Sequence, residues 1–231
     1  MVSLDALKTS LSGLKRRFRR EPRHAEPISL PKARLGTEYG GYAVAVELLR
    51  PESVVYSVGI GEDASFDLAL IARFGCSVHA FDPTPRSLSW VRAQPDLPPQ
   101  FHVHAYGLAD YDGIASFAPP KNPAHVSFNQ LPGKQDARVE LPVRQLSTLM
   151  RELGHERLDV LKLDIEGGEY AVLDALAAGP ALPTQLLVEF HHQLRGIPVS
   201  RTERALGGLH ELGYRIFDRQ PGGHEYSLVR V

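Results

Sequence analysis

At 231 residues and 43% hydrophobic, the chain can bury one substantial core, which allows one domain with an appendage. A net charge of −1 argues against a general nucleic-acid binder, and no apolar run approaches the ~20 residues of a membrane span. The single cysteine, Cys76, rules out an internal disulfide and suits a reducing cytoplasm.

The charge is unevenly spread. Residues 1–20 (MVSLDALKTSLSGLKRRFRR) carry six Lys/Arg against one acid, a local +5 that leaves −6 for the rest. Leu4, Leu7, Leu11, Leu14 and Phe18 step by three and four, the stripe of an amphipathic helix with its basic side chains outside it. Such a helix suits an anionic membrane surface or a partner helix, and equally a helix folded onto its own domain or frayed in solution. Its basic cluster follows the leucines with no apolar core after it, so it does not read as a secretory signal. Residues 21–37 hold three prolines and read as a linker, dividing the chain into an appendage at 1–37 and a domain at 38–231. A helix from Tyr39 to Leu49 is expected to open that domain. Gly40 and Gly41, beside Tyr39 and Tyr42, either lid a ligand or leave the tyrosines to pack on the core.

The stretch from Val54 to Asp82 (VVYSVGIGEDASFDLALIARFGCSVHAFD) organises the rest. Val54, Val55, Tyr56 and Val58 form a short β-prone run stopped by Gly59. Gly59 and Gly61 lack a Cβ, so the chain can reverse there and bring backbone N–H groups close to a ligand. Asp63 or Ser65 caps the next helix, whose apolar face is Phe66, Leu70 and Phe74. Gly75 ends it, Ser77 to Phe81 form a second strand, and Cys76 reads as a small core residue. Asp82 then falls where a nucleotide ribose lies in a doubly wound sheet. Gly59-x-Gly61-x-x-Ala64 also satisfies the dinucleotide fingerprint. Glu62 and Asp63, however, would face a pyrophosphate at the helix N-terminus. Like charges ~4 Å apart repel by ~4 kcal/mol at an effective dielectric near 20. S-adenosylmethionine carries no phosphate and has a cationic sulfonium and ammonium, so the balance favours it, with Gly59, Gly61, Asp63 and Asp82 as contacts. The same acids also serve simply as helix caps.

Thr84 and Pro85 make an N-cap and first helical position ahead of Leu88, Trp90 and Val91. Phe101 to Tyr106 alternates as a third strand, with His102 and His104 on one face. Asp112-Gly113 and Ile114 to Phe117 suggest a hairpin. Residues 118–137 are polar and proline-rich, and a loop this long in a compact domain is functional or disordered. His125, Ser127 and Asn129 are its candidate substrate contacts. Val139 to Val143 is a strand, and a helix from Ser147 to Glu152 is ended by Gly154.

Leu158 to Leu163 reads as a buried strand that runs into Asp164-Ile165-Glu166-Gly167-Gly168-Glu169, with a helix from Glu169 to Ala177. Ligands in open parallel sheets sit outside the carboxyl ends of strands, so Asp164 points at the methyl-donor pocket and can bind the methionine ammonium. Lys162 shares its face and pairs with a nearby acid, while Glu166 and Glu169 read as helix caps. Gln185 to Phe190 is the fifth strand, followed by His191 and His192. Glu189 lies inside an apolar run and needs a partner. Neighbouring strand ends place Asp164, Glu189 and His191 around one cleft. There His191 or Glu189 acts as a general base, or all three bind a divalent metal that lowers a hydroxyl pKa. A purely structural Glu189–His192 pair fits the same residues. Arg201 to Leu212 is an amphipathic helix closed by Gly213, and Tyr214 to Asp218 and Glu225 to Val231 form a hairpin around Pro221-Gly222-Gly223.

VYSVGIGEDASFD, HAFDPTP, LDVLKLDIEGGE and LVEFHHQ, in this order across about Tyr39 to Val231, resemble the FkbM-type class I methyltransferases, especially relatives with an F-D-P-T-P stretch. The resemblance implies an α/β fold, a three-layer, doubly wound, seven-stranded and mostly parallel sheet with a closing antiparallel hairpin. It also implies S-adenosylmethionine as cofactor, with Gly107 to Asp110 at the adenine and Asp110 accepting from its amino group. The expected function is methyl transfer to an acceptor, a hydroxyl on a small molecule or sugar, in the cytoplasm. The rivals are an NAD-type oxidoreductase and a non-catalytic module on the same fold, anchored by residues 1–20.

Overall fold

The computed structural model describes residues 21–118, 138–179, 182–194 and 196–231. The helix expected over 1–20 and the loop contacts His125, Ser127 and Asn129 lie outside the described residues.

The first element corrects two expectations. Residues 21–37 are not a bare linker: β1 (Lys32–Leu35) pairs antiparallel with β2 (Tyr42–Ala45), where a helix was expected. Ahead of β1, the Ile28 N–H donates to the Ile216 carbonyl at 2.7 Å, and Lys32 Nζ reaches Asp218 at 2.7 Å. Tertiary contacts decide against the helix. All four β2 residues are buried, and the amide of buried Gln185 accepts from Ala45 N–H at 2.8 Å and donates to its carbonyl at 3.3 Å. A Cβ on Gly41 would overlap the carbonyl oxygens of Thr37 and Leu35, so the turn of this hairpin needs glycine there. Of the expected helix, a single 3-10 turn remains at Val46–Leu48.

Strands and helices then alternate. β3 (Val54–Val58), α1 (Ser65–Phe74), β4 (Ser77–Phe81), α2 (Pro85–Arg92) and β5 (Phe101–His104) come first. A side sheet follows, built from β6 (Gly107–Leu108), β7 (Gly113–Phe117) and β8 (Val139–Arg144), with β8 central, parallel to β6 and antiparallel to β7. α3 (Leu146–Leu153) starts without a cap of its own, and Asp112 supplies one from afar by accepting from Gln145 N–H at 2.8 Å and Thr148 Oγ1 at 2.7 Å. β9 (Val160–Leu163), α4 (Glu169–Ala178), β10 (Gln185–Glu189), α5 (Val199–Glu211), β11 (Tyr214–Arg219) and β12 (Glu225–Arg230) complete the chain.

The main sheet has seven strands in the order β11-β12-β10-β9-β3-β4-β5, parallel except for β12, which enters antiparallel between β10 and β11. This is the doubly wound class I methyltransferase arrangement, with its hairpin closing one edge. Strands succeed one another outward from β3 through β4 to β5 and outward from β9 to β10, so the order reverses between β3 and β9 and opens a crevice at their carboxyl ends. Two apolar layers flank the sheet. On one face Leu149, Leu173 and Leu209 bring in α3, α4 and α5; on the other Tyr42, Phe66, Leu70 and Val91 bring in the β1–β2 hairpin, α1 and α2. The central parallel strands β3, β9 and β10 are buried on both faces, which is why they are mostly apolar, interrupted by Ser57, Lys162 and the terminal Gln185 and Glu189.

The register of β3, β4 and β5 lines up Tyr56, His79 and His102 in one row. His79 stacks on His102 with ring centres 4.7 Å apart, and its Nδ1 lies 3.0 Å from His104 Nε2. His155, from the end of α3, meets His79 edge-on and Tyr56 Oη at 2.7 Å.

Candidate functional site

A cavity of about 700 Å³ opens at the carboxyl ends of β3, β4, β9 and β10. Among the described residues eight carboxylates line it, those of Glu38, Glu62, Asp63, Asp82, Asp164, Glu166, Glu189 and Glu225, against the single ammonium of Lys162. Phe81, Pro83, Leu108 and Phe117 form an apolar wall on its β4 side.

Its floor is the turn after β3. Gly59 has φ +89° and Gly61 φ +58°, and a Cβ on Gly59 would overlap the carbonyl oxygen of Asp164. Lys162, buried, donates from Nζ to the Gly59 carbonyl at 2.9 Å; its approach to Asp164 is longer, 3.9 Å. Asp82 clasps the turn from β4. Its Oδ2 accepts from the N–H groups of Ile60 and Gly61, both at 3.1 Å, and its Oδ1 from Thr84 N–H at 2.9 Å and Thr84 Oγ1 at 2.6 Å. Its four acceptor positions are thus engaged within the chain.

The two acids of the turn behave differently from a bare repulsive pair. Glu62 is held by Arg86 through two hydrogen bonds, at 2.7 and 3.1 Å. Asp63 caps α1 by accepting from Ser65 N–H at 2.8 Å, and accepts from Thr37 Oγ1 at 2.6 Å; burial opposes the charge, but these bonds hold its carboxyl below the usual range. The acidity of the cavity therefore resides deeper, at Asp164, Glu166, Glu189 and Glu225.

Three of those carboxylates, Asp164, Glu166 and Glu189, surround His191, which is 2% exposed. Its Nε2 stands 3.6 Å from Glu166 Oε2, 3.8 Å from Asp164 Oδ1 and 3.9 Å from Glu189 Oε1. On the other side of the ring Nδ1 lies 3.4 Å from Glu169 Oε1. Burial works against an imidazolium, yet Glu169, Glu166 and Glu189 outweigh it and raise the pKa to about 9. Glu189 is pushed up to about 8, first by burial and then by Asp164, with His191 opposing. Glu225 sits directly opposite Glu189 in the β10–β12 register; burial raises it too, and Arg34 restrains the shift from 3.3 Å.

The structure thus brings Gly59, Gly61, Asp63, Asp82, Asp164 and Glu189 to one cavity, with His191 packed against the Asp164–Glu189 end. Asp110 is apart: it is exposed and does not line the cavity, because Ala109 N–H bonds to the Arg144 carbonyl and carries the chain onto the side sheet. Gly107 and Leu108, from the same stretch, do line it. His192 meets Thr202 Oγ1 at 3.2 Å and stacks on His224, so the imidazole beside Glu189 is that of His191. Glu169, read as a cap, is fully buried; it accepts from Gly167 N–H and from His191 N–H, both at 2.8 Å. Thr37, Glu38 and Glu225 were not foreseen. The only signal for them would have been the β1–β2 and β10–β12 registers.

Comparison with known proteins agrees. The sequence profile of the methyltransferase FkbM domain matches residues 54–216. Probable methyltransferase-like protein 24 of Rattus norvegicus is 27% identical over 167 residues, and its human counterpart 26% over 172. Each alignment covers 71% of this chain, and the chain spans only 40% of those relatives' length. A methyltransferase FkbM structure from Methylobacillus flagellatus aligns over 78% of this chain and 44% of its own, at 14% identity and a TM-score of 0.48. With the profile covering most of its length, from β3 into the closing hairpin, the chain belongs to the FkbM methyltransferase domain family.

Proposed function

We propose that this domain transfers the methyl group of S-adenosylmethionine to a hydroxyl on a small molecule or sugar. The observation that carries the reading is the cavity's charge: eight carboxylates and one ammonium beside an apolar wall, at the switch point of the sheet. A cationic sulfonium nucleoside suits such a lining, whereas a diphosphate is repelled by it. The volume, about 700 Å³, accommodates a nucleoside and an acceptor together. When bound, S-adenosylmethionine supplies a methyl group on a positively charged sulfur.

Phe81 and Leu108 offer apolar contact to a base. Asp164 offers a carboxylate to the methionine ammonium. Asp82 and the N–H groups it holds fix the turn that the sugar would approach. Glu189 is the proton acceptor for the acceptor hydroxyl: its raised pKa matches a base working near neutrality. His191, whose Nε2 lies 3.9 Å from Glu189, serves to hold that carboxyl group in place. Most of the rate enhancement is asked of alignment, since methyl transfer needs donor and acceptor in line.

Titrating the full chain with S-adenosylhomocysteine and, separately, NAD tests the reading, with melting temperature as readout. Stabilisation by S-adenosylhomocysteine, followed by label transfer from methyl-tritiated S-adenosylmethionine to a hydroxylated acceptor panel, supports it. Stabilisation by NAD alone overturns it.

A further inference from the structure

Within the same cavity, and resting on its reading as a methyl-transfer site, we propose that Asp164, Glu189 and His191 bind one divalent metal ion of the Mg²⁺/Mn²⁺ class. Donor atoms of these three residues, from the ends of adjacent strands β9 and β10, all lie within 4.8 Å of one another.

The spacing around His191 is the first support. Its ring is almost wholly buried, yet Nε2 lies 3.6 to 3.9 Å from three separate carboxylates, too far to hydrogen-bond any of them. An imidazolium serving only as an ion-pair partner closes on one carboxylate at about 2.8 Å. Here the donors stand off instead, at similar distances from one nitrogen. An octahedral ion with bonds of about 2.1 Å places neighbouring donors about 3 Å apart and opposite ones about 4.2 Å apart, and the 3.6 to 3.9 Å from Nε2 to the carboxylates falls between those spacings.

The residue behind the ring is the second. Glu169 Oε1 lies 3.4 Å from His191 Nδ1, and the carboxylate is fully buried and itself held by two backbone N–H groups. At 3.4 Å the contact makes no hydrogen bond, but a carboxylate on that side of the ring favours the proton on Nδ1 and leaves Nε2 to coordinate. Glu166 stands beside the three-residue group. Its φ of +47°, uncommon for a residue with a side chain, lies in the turn that carries its carboxylate to 3.6 Å from Nε2. One imidazole among carboxylates selects a hard or borderline cation over thiophilic metals. With Glu189 engaged as a ligand, the ion would take over from it in activating the acceptor, lowering the pKa of a hydroxyl that joins its coordination shell and orienting it toward the donor sulfur.

The test is equilibrium binding of Mn²⁺ to the full chain, read from the electron paramagnetic resonance signal of the free ion. One saturable site, displaced by Mg²⁺, is expected. His191→Ala and Asp164→Asn should each weaken it at least tenfold, and Glu169→Gln by about 10- to 100-fold. Absence of a saturable site in the unaltered protein, a result that depends on no variant folding, overturns the proposal. So does a site that persists in both ligand variants. Methyl transfer that continues in excess chelator overturns the ion and leaves the methyl-transfer reading standing. Saturable Mn²⁺ binding without S-adenosylhomocysteine binding supports the ion and sinks that reading instead.

Discussion

His191 and His79 both lie buried against the same sheet, and their charges go opposite ways. Around His191 the neighbours are carboxylates, and they raise its pKa to about 9 in spite of burial. Around His79 burial dominates, the neighbours are three more imidazoles, and the pKa falls to about 3. His104 and His155 are lowered for the same reasons, burial first. At neutral pH His191 is a cation among carboxyl groups, and His79 is a neutral ring in an aromatic stack. Residue type does not assign a role; the company a side chain keeps does.

The most severe way to break the contrast is to neutralise the acid end. Glu189→Gln should lower kcat about 100-fold while S-adenosylhomocysteine affinity, read by calorimetry, changes little; equal losses in both would mean Glu189 binds the donor and is not the base. Next comes Asp82→Ala. Removing a carboxylate that accepts four hydrogen bonds should weaken S-adenosylhomocysteine binding about thirtyfold, ~2 kcal/mol, because the turn loses its clasp. Unchanged affinity would sever the turn from the cofactor.

The smallest effect sharpens the comparison through pH. A histidine whose folded pKa lies below its unfolded value contributes stability that is complete above that value and declines as pH falls toward the folded one. For His79 the window runs from 6.5 down to about 3. His191 has the reverse sign, contributing fully below 6.5 and losing its contribution as pH rises through about 9. Glu189 acts in the same sense as His191, from 4.5 up to about 8. His79→Phe should therefore flatten the acid limb of a melting-temperature profile, and His191→Gln the alkaline limb. Matching profiles for the two variants would erase the distinction.

Much of this was legible in the sequence. The Gly59–Gly61 bend, the acids at the ends of β4 and β9, and the Glu189–His191 stretch are local signals, since period, glycine placement and chain order fix where strand ends fall. What escaped reading depends on register between distant segments. Tyr42 to Ala45 was read as a helix because its apolar residues are as consistent with one as with a strand, and its edge is completed by Gln185, far along the chain. Glu225 joins the cavity only because β12 pairs with β10, and His79 gathers its imidazoles only through the β3–β4–β5 alignment. Asp110 lies off the cavity lining for the converse reason: Gly107 and Leu108 obey the expected pattern, and the Ala109 hydrogen bond to the side sheet turns the chain away.

Glu189 facing Glu225 across an antiparallel ladder has a consequence for binding. Two partly buried carboxyl groups held opposite each other resist ionising together, and an arriving cation removes that resistance. Stabilisation by a cationic ligand should therefore be accompanied by proton release, read as a dependence of the calorimetric binding heat on the ionisation enthalpy of the buffer.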